Sequence, residues 1–87
     1  MAYLGGSAFA MAKDVGDGFI LLNTSVLKRM TADELRQLRF EIQRIQTGIR
    51  SEQHPIDDSL AIQARNRKLS RLNSAVMMID NQIQGNR

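Results

Sequence analysis

The chain contains no cysteine, no tryptophan and a single proline, and only 5% of its 87 residues are aromatic. Without cysteine there is no disulfide framework, no thiolate zinc site and no cysteine nucleophile, which excludes a small disulfide-stapled secreted scaffold. Few aromatics beside 43% hydrophobic residues favour aliphatic helix packing over a sandwich or barrel, whose strands draw on aromatic and β-branched side chains. No apolar run approaches the roughly 20 residues of a membrane span. Residues 1–12 are apolar but lack the basic flank and continuous apolar stretch of a secretory signal. The expectation is a mainly α, soluble protein, intracellular or held within a macromolecular assembly, and not a classical secreted one.

Catalytic signatures are also missing. His54 is the one histidine; it precedes Pro55 and has no second histidine or cysteine with which to share a metal, so it reads as a loop residue. Asp14 and Asp17 resemble a cation loop only superficially, because oxygen donors are too few and no glutamate follows at the required spacing. No nucleophile stands beside a base, no carboxylates are paired and no Gly-rich phosphate cradle occurs. The sequence therefore predicts no enzyme, cofactor, metal or small-molecule substrate.

Charge of one sign is in modest excess: the net charge is +3 and the isoelectric point about 10.0, with acidic residues spread throughout. The one dense basic run is 64–71, where Arg67 and Arg71 share a helix face at i, i+4 beside Lys68. These three are candidate phosphate contacts of a nucleic-acid-binding dimer. No aromatic alternates with them for base stacking, so a solvated helix face is the competing reading.

Composition changes near Met30. Gly5, Gly6, Gly16 and Gly18, with Tyr3, Phe9 and Phe19, lie before it; afterwards only Gly48, Gly85 and Phe40 are of these types. Residues 1–30 are accordingly read as an N-terminal arm. Within it, 7–13 and 19–23 flank an Asp-Gly turn signal, which predicts an irregular arm or a short β-hairpin. Residues 31–87 are read as a helical hairpin. Thr31-Ala32-Asp33-Glu34 is a capping box that starts a first helix over about 31–51. Its Leu35, Leu38, Ile42, Ile45 and Ile49 recur at 3-4-3-4 spacing, a coiled-coil-like seam. Pro55 ends that helix. Asp57, Asp58 and Ser59 cap a second, over about 57–84, with Gly85 as its stop.

Ile62, Leu69, Leu72, Val76, Ile79 and Ile83 carry the second seam, interrupted at Arg65. Folded back antiparallel, 49 meets 62, 45 meets 65, 42 meets 69, 38 meets 72 and 35 meets 76, position sums of 110 or 111 throughout. Arg65 is the irregular rung, either a register device paired with Glu41 or Glu52, or a stem that packs while its head reaches water. The second helix is longer, so Ile79 and Ile83 should overrun the capping box and meet Val26, Leu27 and Met30.

Two helices sharing one seam bury one side each, too little to offset the entropy of ordering them. The hairpin is therefore expected to oligomerise, with itself or with another protein of a larger assembly, as a non-enzymatic structural subunit, adaptor or co-chaperone. The candidate interface residues are Phe9, Phe19, Ile20 and Leu22 of the arm together with Phe40, Leu60 and Met78, which lie off the seam. The tandem Met77-Met78 could serve an adaptable binding surface but reads more simply as ordinary packing.

Overall fold

The computed structural model describes residues 7–52 and 59–85, which form four helices in the order α1 (Ala8–Asp17), α2 (Thr24–Lys28), α3 (Ala32–Ser51) and α4 (Ser59–Gly85). Asp57, Asp58 and the loop at His54 and Pro55 lie outside the described residues. The expected long helices are α3 and α4. Thr31 closes its capping box as the sequence requires: Glu34 N–H donates to Thr31 Oγ1 at 3.1 Å and Thr31 N–H donates to Glu34 Oε1 at 2.8 Å. Two contacts between α3 and α4 establish their sense. Near the loop, Arg65 Nε donates to Ile49 O at 3.4 Å. At the other end Arg39 Nε lies 2.8 Å from Asp80 Oδ1, a charge contact whose angle is not that of a hydrogen bond. Higher numbers on one helix meet lower numbers on the other, so the pair is antiparallel. Gly85 is the last residue of α4, and the two positions after it lie outside the described residues.

The β-hairpin arm is overturned: among the described residues there is no strand, and 8–17 is helical. Ser7 is an N-cap, its Oγ accepting from Ala10 N–H at 3.1 Å. The Asp-Gly pair that signals a hairpin turn instead terminates the helix. Gly18 takes φ 85°, its N–H donates to Val15 O at 3.2 Å and Phe19 N–H donates to Asp14 O at 2.9 Å. This is the Schellman pattern, which glycine adopts without the steric penalty of a Cβ. Asn23 caps α2 in the same way as Ser7 caps α1, with Oδ1 accepting from Val26 N–H at 3.0 Å.

The first helix packs into the groove between α3 and α4. Ala8, Ala12 and Gly16 recur every fourth residue and all three are buried, a line of small side chains that brings α1 close to the hairpin. A Cβ on Gly16 would lie 3.3 Å from Leu72 Cδ2 and 3.4 Å from Lys68 Cε, so any larger side chain there would push α1 outward. Met11 and Val15 fill the gaps beside this line. The buried face of α4 is turned by α1. Leu72, Ala75 and Ile79 are its buried residues, whereas Leu69, Val76 and Ile83 only pack against the core from its edge, and Ile62 is half-buried outside it. At 100° per residue, Ala75 lies toward α1 and Leu69 toward α3, so the burial centre sits between two neighbours, not on one seam. At the far end α2 packs on α4. Leu27, Met30 and Ile79 are buried there with Val26 and Ile83 against them, as the greater length of the second helix predicts. The molecule measures 47 × 24 × 19 Å with a radius of gyration of 13.6 Å, above the roughly 12 Å of a spherical domain this size; the length of α4 accounts for the elongation.

Candidate contact surface

The exposed apolar side chains are placed by local backbone rules. The segment 19–22, between the cap of α1 and the cap of α2, belongs to no helix or strand. Burial alternates along it: Leu22 is buried, Ile20 packs against the core, and Phe19 and Leu21 lie outside at 80% and 87% exposure. Leu22 thus belongs to the core of the single chain, and Ile20 packs at its edge. Leu21 was not singled out by sequence reasoning, although the alternation that buries 20 and 22 signals it.

On α4, Met78 packs at the core edge while Met77 is 60% exposed, so the tandem divides between packing and surface. One and two turns before them, Ser74, Ala75, Ser70 and Arg71 border the same groove as the 20–22 segment. Together with Val15, Gly18, Ile20, Leu21, Leu22 and Met78 they line an open groove of about 320 Å³. Its floor is apolar and its one charged wall residue is Arg71.

Phe40 lies elsewhere. It stands two residues from both Leu38 and Ile42, each fully buried, hence about 160° around α3 from the core. Arg44 half covers it: the guanidinium carbon is 5.8 Å from the ring centroid, while NH1 donates to Glu41 Oε1 at 3.1 Å. Glu41, though almost buried, also accepts from Gln37 at 3.4 Å, so its charge is met by two side chains of its own helix. It is not held in reserve for Arg65. Leu60 opens α4 at 76% exposure and Phe9 sits half exposed on α1.

The basic run has an intramolecular task. Lys68 Nζ lies 2.9 Å from Asp17 Oδ1, and Arg71 NH1 donates to Gly16 O at 3.2 Å. Both cations thus meet the C-terminal end of α1, where unsatisfied carbonyls gather negative partial charge and no basic residue of α1 itself is present. Of the three candidate phosphate contacts, Lys68 and Arg71 are committed to α1, and Arg67 is exposed. Among the described residues, no group of three or more histidine, cysteine, aspartate or glutamate side chains could hold a metal ion, and no helix is long and apolar enough to cross a membrane. Comparison with known proteins finds no family model, no curated protein and no solved structure that matches the chain.

Proposed function

We propose that this protein acts by contact, as a non-enzymatic structural or assembly component that docks through apolar side chains its own core leaves uncovered. The observation that carries the reading is the exposure of Phe19, Leu21, Leu60 and Met77, each at least 60%, on a chain whose core is otherwise closed by α1 and α2. Single exposed apolar residues are ordinary on protein surfaces. Here Phe19 and Leu21 project beside a concave apolar groove, a combination that marks interaction sites more often than chance exposure does. The core needs no partner for cover, so a partner is recruited by this outer surface and not by an open seam. A nucleic-acid-binding role draws less support, because it would take Lys68 and Arg71 away from the α1 terminus they serve.

The test is the native size of the protein in extracts of its source, before and after serine replacement of Phe19, Leu21, Leu60 and Met77. An assembly component elutes well above the mass of one 9.8 kDa chain, and the replacements collapse it toward that mass while the circular dichroism spectrum is unchanged. A wild-type protein eluting at monomer mass rejects the proposal.

A further inference from the structure

The surface around the groove is complementary to itself. One edge presents knobs, Phe19 at 80% and Leu21 at 87% exposure; immediately beside them lies a hole, the groove of about 320 Å³ floored by Val15, Ile20, Ala75 and Met78. A surface carrying both parts can satisfy both at once in a single closed contact by meeting a copy of itself across a twofold axis, since each copy then lends its knobs to the other's hole. The geometry points to a second copy of this chain as the occupant of the groove, paired through α4 in antiparallel sense with the axis near Ser74.

Size, side-chain volume and charge argue for that arrangement. Ser70 and Ser74 stand one turn apart on the groove wall, and side chains this small let two helices approach to the ~8–10 Å of ordinary packing. Antiparallel crossing at Ser74 sets Ser70 opposite Met78, Arg71 opposite Met77 and Arg67 opposite Asn81, so the basic half of each helix faces the half of its twin whose one charged residue, Asp80, is acidic. Parallel crossing would stack Arg67 on Arg67 and Arg71 on Arg71, and like charges opposed at this range repel. The area fits a modest dimer. With large apolar side chains contributing about 150–250 Å² each, Phe19, Leu21 and Met77 supply on the order of 400 Å², about half of the ~800 Å² per partner in a standard interface. Arg71, Ser74 and Met78 add to this from the groove walls. The result is a reversible dimer of micromolar class and not an obligate one, consistent with a core already closed within one chain.

This inference rests on the contact reading above but can fail separately from it. The experiment uses the purified full-length chain. Sedimentation equilibrium from low-micromolar to near-millimolar concentration is expected to show monomer passing to dimer, with the double variant F19S/L21S weakening association by about tenfold or more. Both side chains are exposed, so an unchanged thermal melt verifies that these variants fold. Because the chain has no cysteine, Ser74→Cys introduces a lone thiol near the axis and should oxidise to a covalent dimer, whereas Thr47→Cys, beside Phe40 on α3, should not. Monomer at every concentration overturns the inference, as does a dimer trapped by Thr47→Cys but not by Ser74→Cys. A purified monomer that still elutes in a large complex from source extracts rejects self-pairing and leaves the contact reading standing.

Discussion

At the scale of single residues, the glycines show how one residue type serves opposite purposes. Gly18 is needed, because φ 85° costs an L-residue about 1–2 kcal/mol. The Arg71 guanidinium 3.2 Å from a would-be Cβ is a flexible tip and adds little. Gly18→Ala should therefore lower stability by about 1–2 kcal/mol, read as a shift of the urea midpoint without change of slope. Gly48 is not needed: it lies inside α3 with nothing within 4 Å of an added Cβ. Gly48→Ala should raise stability by about 0.8–1 kcal/mol, and a loss would mean that the α3 surface there is covered in solution. Thr31 was legible as a cap from sequence because capping is a local matter of spacing and side-chain reach. The roles of Lys68 and Arg71 were not, since the α1 terminus they meet is 50 or more residues away along the chain.

Among elements, α1 is the one that changes the account of the molecule. Its 7–17 segment satisfies local helix rules, with Ser7 as cap, alanines within and Gly18 as stop, and its buried Ala8, Met11, Ala12, Val15 and Gly16 recur at helical spacing. A turn signal at Asp17-Gly18 outweighed that periodicity in the sequence reading, and the same two residues turn out to form the helix exit. The tight fit of α1 is testable. Ala12 is fully buried at the centre of the small-residue line, and Ala12→Leu should cost about 1–3 kcal/mol by overpacking; a neutral substitution would show that α1 does not lie in this groove. By contrast Lys68→Met should cost only about 0.2–1 kcal/mol, because the Lys68 and Asp17 side chains remain about one-third exposed. Its effect should be confined to faster amide exchange near 14–18, where α1 is anchored.

For the whole molecule, one core cluster runs through α1, α2, α3 and α4, from Met11 and Leu27 to Leu35 and Ile79. The arm and the hairpin are thus one folding unit, and the open seam that called for a partner is already occupied. A fragment of residues 31–87 should lose cooperative thermal unfolding and most of its helical signal, since it leaves Leu72, Ala75 and Ile79 without α1 and α2; a fragment as stable as the full chain would refute the single-unit description. Leu72→Ala, at a residue with no exposure touched by both α1 and the hairpin, should cost about 2–5 kcal/mol with full loss of cooperativity at the upper end. At concentrations below self-association the full chain should melt at a temperature independent of its concentration, as a monomeric core requires.

By itself the sequence determined the helical class, the two long helices, the capping box and their antiparallel sense, because each follows from residue spacing and local hydrogen bonding. It also indicated that Val26, Leu27 and Met30 cover the overrunning end of the second helix, a consequence of comparing two lengths. Only the tertiary structure decided what lies on the open side of the hairpin. The inward turn of α4 toward Ala75, the use of two cations to hold the end of α1 and the separation of Leu22 inside from Leu21 outside all depend on where α1 docks. Small side chains direct that docking through shape, and shape complementarity between distant segments leaves almost no periodic trace in a sequence.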